Sequence, residues 1–249
     1  MHRETYSISG IRVCALVQGQ GPRVLFIHGT GGNGRAWSNQ IRRLSQTHQA
    51  IAIDLPGYGE SELGESIQST DDYVPFIDRW MEQAGWESAV LVGSSMGGRL
   101  ALQLALDYPR RTEALVLVNA SGLNLTDHPT MSPASVSLET FMKALFYRPS
   151  HQFLVSRTIE PAPPWYATMK RLSTGSHHRD LNNRLHEIRI PTLILWGEHD
   201  QVIPPAHAEA FHQGIRGSRL QYLPKCGHVP MLERPGEVND ALVEFLASL

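Results

Sequence analysis

The 249-residue chain predicts an α/β protein: a mostly parallel, eight-stranded sheet with helices on both faces and an inserted helical lid. Three observations carry that prediction. Unbroken apolar runs such as Val24-Leu25-Phe26-Ile27 and Thr192-Leu193-Ile194-Leu195-Trp196 suit strands buried on both faces, which need no polar side. Through the first half of the chain such runs alternate with helical patterns, as the crossovers between parallel strands require. From about 123 to 185 the alternation stops and the sequence becomes proline-bearing and helical, so residues 1–122 and 186–249 are expected to form the core and 123–185 the lid.

The elements follow in order. Residues 5–8 and 11–18, alternating in character around Ser9-Gly10, predict an antiparallel hairpin. The strand at 24–27 runs into His28-Gly29-Thr30-Gly31-Gly32, and a helix over 36–46 keeps Trp37, Ile41 and Leu44 on one face. The strand at 51–53 is broken by Asp54-Leu55-Pro56-Gly57-Tyr58-Gly59. Thr70 is the expected N-cap of a helix reaching Gly85, with Asp71 and Asp72 in its first turn. A strand at 89–92, a helix at 96–107 and a strand at 114–118 complete the first half. In the lid, Leu138, Phe141, Met142, Leu145 and Phe146 share one helical face, and Trp165, Tyr166, Met169 and Leu172 form a second stripe. The strand at 192–196, a helix at 205–213, a strand at 219–223 and a last helix at 238–249 restore the sheet pattern.

Composition limits what such a molecule does. With 41% hydrophobic and 18% charged residues the chain can bury a large core, and a net charge of -2 supplies neither a basic field for nucleic acid nor a polybasic membrane patch. The start lacks the apolar stretch of a signal peptide and no apolar run approaches the ~18 residues that span a bilayer, so a cytoplasmic protein acting on a small molecule is expected. Cys14 and Cys226 stand far apart in no ligand pattern and are expected to be buried thiols. His177-His178 lacks the i, i+4 spacing that sets two imidazoles on one helix face, so no metal is expected. A homodimer is left open.

The chemistry concentrates at Gly93-Ser94-Ser95-Met96-Gly97, a G-x-S-x-G run that joins the strand at 89–92 directly to a helix. Such a turn lifts a serine hydroxyl clear of the sheet at a helix N-terminus, which makes Ser95 the candidate nucleophile. A glycine-serine loop without chemistry would read the same in isolation. A serine needs a base, and the base a carboxylate to orient it. Asp200 lies just past a buried strand, His228 lies in the loop after the next one, and the order serine, aspartate, histidine suits this topology. Glu198 competes with Asp200 for the acid's role. The strand ending at Val118 offers only Asn119 and Ser121, neither a carboxylate. The three glycines among residues 28–32 free the backbone to turn N-H groups toward one point, as anion stabilisation requires.

Taken together, His28-Gly29-Thr30-Gly31-Gly32, Asp54-Leu55-Pro56-Gly57-Tyr58-Gly59-Glu60-Ser61, Gly93-Ser94-Ser95-Met96-Gly97-Gly98, Gly197-Glu198-His199-Asp200 and Gly227-His228 resemble the α/β-hydrolase superfamily, in order and over nearly the whole chain. The resemblance implies Ser95 as nucleophile, His228 as base, Asp200 as orienting acid, and an oxyanion hole from the backbone N-H groups of Thr30 and Met96, with Gly31 beside them. It gives His28 and Asp54 structural parts. It implies no cofactor, and a serine rather than an aspartate at the elbow argues against haloalkane dehalogenases and epoxide hydrolases.

The activity expected is hydrolysis of carboxylic esters of small to medium, mainly apolar substrates. The sequence also resembles carbon-carbon bond hydrolases of meta-cleavage products (2-hydroxy-6-oxo-dienoates), and enol-lactonases. The former usually carry asparagine before the nucleophile and tryptophan after the histidine, where this chain has Ser94 and Val229. They also use a lid arginine, for which Arg148, Arg157, Arg171 and Arg179 are the candidates. A binding protein that keeps the fold without the chemistry is a third reading. Gly31, Phe146, Trp165, Met169 and Val229 are the expected lining of the substrate pocket. A histidine base works only when neutral, so activity is expected to fall on the acidic side of pH 6 to 7.

Overall fold

Eight strands form one sheet in the computed structural model, which describes residues 1–148, 164–174 and 180–249. They are β1 (His2–Ile8), β2 (Ile11–Gln18), β3 (Arg23–Ile27), β4 (Gln49–Ile53), β5 (Ala89–Ser94), β6 (Thr112–Val118), β7 (Thr192–Gly197) and β8 (Arg219–Leu223), in the spatial order β1-β2-β4-β3-β5-β6-β7-β8. β2 runs antiparallel to both of its neighbours, and the pairs from β4 to β8 are all parallel.

The period of two along each strand divides the core. Leu25, Ile27, Leu91, Leu115, Leu117, Ile194 and Trp196 face one side, where α2 (Tyr73–Gln83), α3 (Met96–Asp107) and α6 (Ala206–Gly214) contribute Trp80, Leu100 and Phe211. Val24, Phe26, Val92, Val116, Val118 and Leu195 face the other, covered by α1 (Ser38–Leu44) and α8 (Pro235–Leu246) through Ile41, Leu242 and Phe245. Each such side chain, buried to within a few per cent, contributes about 1.5 to 3 kcal/mol of transfer free energy. The central strands are buried at nearly every position, which is why their sequences read as continuous apolar runs.

Between β6 and β7 the described residues form no strand, only α4 (Leu138–Ala144), α5 (Pro164–Thr174) and a 3-10 stretch at Asn182–Glu187. α4 ends at Ala144, so Leu145 and Phe146 leave the helix that their spacing predicted. Three further boundaries differ from expectation. Ser69, not Thr70, caps the turn before α2, because its side chain and that of Asp72 form a reciprocal capping box. The first strand begins at His2, since all of His2–Ile8 finds partners on β2. The last helix starts at Pro235, whose fixed φ suits a first helical position and whose missing N-H costs nothing there. No helix among the described residues is long and apolar enough to cross a membrane.

Candidate active site

The parallel strands all deliver their C-terminal ends to one edge of the sheet, where crevices of open α/β sheets form. Ser95 sits there between β5 and α3 with φ 53 and ψ -120, a conformation that a side-chain-bearing residue adopts at a cost of order 1 to 3 kcal/mol. The surroundings hold it. Its N-H donates to the Val118 carbonyl at 3.1 Å, and its own carbonyl accepts Gly98, Arg99 and Ser121 N-H groups at 3.0 to 3.1 Å. A Cβ added at Gly93 would overlap the Gly97 carbonyl, and one at Gly97 would overlap the Ile27 carbonyl of β3, so both glycines are sterically required.

Asp200 and His228 are brought together although 28 residues separate them: Nδ1 of the imidazole lies 2.8 Å from Asp200 Oδ2, with both side chains buried. The aspartate is saturated. Oδ1 accepts the Val202 and Ile203 N-H groups at 2.8 and 2.9 Å, and Oδ2 accepts Asn119 Nδ2 at 2.6 Å besides the imidazole. With Nδ1 donating to the carboxylate, Nε2 is left as the basic nitrogen. It is buried and no described residue hydrogen-bonds to it. Glu198, the competing acid, is exposed and points its backbone N-H to Leu223.

Asn119 is the residue that sequence reasoning passed over. It is fully buried at φ 45, donates to Asp200, and accepts the Gly197 N-H at 3.2 Å, so one side chain ties the end of β6 to the end of β7. The only signal available was its place at the end of a buried strand, where a carboxylate had been sought.

Thr30 and Met96 meet at the same edge, Thr30 Oγ1 lying 3.6 Å from Met96 Sδ. Met96 is the first residue of α3, a position whose N-H has no partner within the helix. Ser95 lies against this loop, for a Cβ at Gly29 would come within 2.9 Å of the Ser95 Cβ and 3.6 Å of its Oγ. Trp165 of α5 packs on Gly31, where an added Cβ would meet the indole at 3.1 Å. Phe146 and Val229 are half-buried against the core and Met169 is buried. Arg171 donates to the Ile67 carbonyl at 2.9 Å, and Arg157 and Arg179 lie outside the described residues.

The structural parts expected of His28 and Asp54 fit their bonds. Asp54 accepts the Gly34 and Glu60 N-H groups at 2.6 and 2.9 Å, pinning two loops behind the site. Cys14 and Cys226 are both buried and free, and burial pushes the Cys226 thiol up to about 12. Among the described residues no three His, Cys, Asp or Glu side chains gather as a metal site, and the His177-His178 pair lies outside them.

Comparison with known proteins gives a consistent family. The model of the alpha/beta hydrolase family matches residues 24–241. The dihydrolipoyllysine-residue acetyltransferase component of the acetoin cleaving system of Cupriavidus necator is 30% identical, over 96% of this chain and 67% of its own. The 2-hydroxy-6-oxo-6-phenylhexa-2,4-dienoate hydrolase of Comamonas testosteroni is 27% identical over 92% of this chain and 88% of its own. Among solved structures, a meta-cleavage product hydrolase from Pseudomonas fluorescens superposes with a TM-score of 0.86 at 23% identity, covering 98% of this chain and 97% of that one. At that identity the superposition speaks for the fold.

Proposed function

The chain belongs to the alpha/beta hydrolase family, and from that premise we propose that it is a serine hydrolase of carboxylic esters. The observation that carries the reading is the buried Asp200–His228 pair, whose uncommitted Nε2 lies at the same sheet edge as the strained Ser95 turn. In this mechanism Nε2 takes the Ser95 proton as Oγ attacks the ester carbonyl. The Thr30 and Met96 N-H groups hold the oxyanion, each donor worth about 3 to 4 kcal/mol of barrier. The tetrahedral intermediate expels the alcohol, which takes the proton from His228. Water then adds to the acyl-serine with His228 again as base, releasing the carboxylic acid and restoring Ser95. Asp200 keeps the imidazole in the tautomer that leaves Nε2 basic, and Asn119 orients Asp200.

Trp165 over Gly31, beside the Ser95 loop, supports a mainly apolar pocket for acyl groups of small to medium size, and Phe146, Met169 and Val229 are the apolar side chains expected to complete it. The second reading is carbon-carbon hydrolysis of a 2-hydroxy-6-oxo-dienoate, favoured by the named activity of the Comamonas testosteroni relative. Against it, the chain has Ser94 and Val229 where such hydrolases usually carry asparagine and tryptophan. The two are separated by assaying p-nitrophenyl acetate, butyrate and octanoate beside a 2-hydroxy-6-oxo-dienoate. Ester turnover that exceeds dienoate turnover and falls at least a thousandfold in Ser95→Ala is expected, on the order seen when such a nucleophile is lost. Preferential dienoate cleavage would move the chain to the second reading, and turnover of neither would point to a binding protein.

A further inference from the structure

One buried carboxylate joins the lid to the loop that carries His228. Glu233, 5% exposed at the end of α7 (Pro230–Glu233), accepts the Gly227 N-H at 2.7 Å through Oε2. The Tyr147 N-H lies between its two oxygens at 3.1 and 3.2 Å, and the Arg148 N-H donates to Oε1 at 3.2 Å. Immediately beside this knot the His228 N-H donates to the Leu145 carbonyl at 2.9 Å, which is available because α4 has already ended. The Tyr147 ring stacks on His199, next to Asp200, with centroids 4.5 Å apart. Gly227 faces the junction so closely that a Cβ there would come within 2.8 Å of the Leu145 oxygen and the Tyr147 nitrogen. Residues 145–148 thus meet the remote 227–233 segment at two adjoining acceptors, the Glu233 carboxylate and the Leu145 carbonyl.

We infer that Glu233 is a positioning residue for His228, an inference that rests on His228 being the base. A carboxylate offers two acceptor oxygens and so serves several backbone donors at once, the Gly227 bond at 2.7 Å being the short one. It sets the backbone of Gly227 and His228 against the exit of α4, and so sets where Nε2 stands relative to Ser95. A glutamine of equal size would turn an NH2 group against N-H donors and leave at least one of them unmet.

The test compares Glu233→Gln and Gly227→Ala with Leu242→Ala, a core truncation in α8 remote from the site. Two readouts are taken: kcat and KM on p-nitrophenyl butyrate, and hydrogen exchange at the Gly227, Tyr147 and Arg148 amides. A misplacement near 1 Å is expected to cost kcat about tenfold to a hundredfold. KM is expected to stay within about threefold, since acyl-chain contacts are unaltered. In Glu233→Gln the three amides lose protection together, Gly227→Ala moves kcat in the same sense, and Leu242→Ala lowers the Tm while keeping kcat. A Glu233→Gln enzyme that loses Tm but keeps kcat, or keeps its exchange protection, overturns the inference. If the wild type turns over no ester, the ester reading fails on that result alone. The same kcat, KM and exchange criteria are then read on a 2-hydroxy-6-oxo-dienoate, and a wild type that turns over neither substrate overturns the inference.

Discussion

His28 is buried behind the site with both ring nitrogens committed: Nδ1 donates to the Gly29 carbonyl at 2.8 Å and Nε2 accepts the Leu55 N-H at 3.1 Å. An acceptor at Nε2 requires the neutral ring, and burial holds its pKa below the ordinary value of 6.5. His207 is shifted in the same direction, again chiefly by burial. The sign follows. Below about pH 6.5 the unfolded chain takes up protons that the folded one refuses, so stability present above that pH is lost as the pH falls. The slope approaches 1.4 kcal/mol per pH unit for each such group. Urea unfolding from pH 7.5 to 5 is expected to show this decline, and His28→Asn, which keeps a donor near Nδ1 but cannot titrate, to show a shallower one. An unchanged slope in the variant would contradict the assignment. At this scale the sequence is legible where a residue type carries its own chemistry: Ser95, Asp200 and His228 stand out by kind and order. Asn119 and Glu233 do not, because an amide or a carboxylate becomes an organiser only through the groups that folding brings to it.

The turn between β5 and α3 shows what an element demands of its residues. Ser95 can hold φ 53 only because Gly93 and Gly97 let strand, turn and helix approach closer than any Cβ allows. Gly93→Ala is therefore expected to cost about 3 kcal/mol or more, because the new methyl meets backbone, which cannot rotate away. Gly236→Ala in α8, where a Cβ meets nothing within 4 Å, is expected to be neutral or to stabilise by up to about 1 kcal/mol. Equal effects in urea unfolding would show that the turn is not sterically determined. Strand and helix positions were legible for the same reason that they are stable, since burial on two faces writes an unbroken apolar run. The end of α4 was not, because Leu145 and Phe146 continue the helical spacing and leave the helix only where Leu145 meets His228.

Across the whole molecule, one topological fact organises the chemistry: parallel strands β3 and β5 to β8 end on the same side and deposit their loops together. The glycine-rich loop at 28–32, the Ser95 turn, Asn119, Asp200 and His228 each follow one of those strands, so sites scattered over 200 positions become neighbours. That convergence could be anticipated from the alternation of strands and helices. The stretch between β6 and β7 could be anticipated only as an interruption of that alternation; its helix α5 packs on loops, Trp165 on Gly31 and Thr168 on the Gly57 carbonyl at 3.1 Å. On the proposed mechanism all of this serves an acyl transfer to one oxygen. Mass spectrometry of the enzyme quenched during its first turnover of p-nitrophenyl butyrate tests it most directly. A butyryl adduct is expected on the peptide bearing Ser95 and absent from Ser95→Ala. Turnover with the adduct on another residue, or undiminished in the variant, would contradict it.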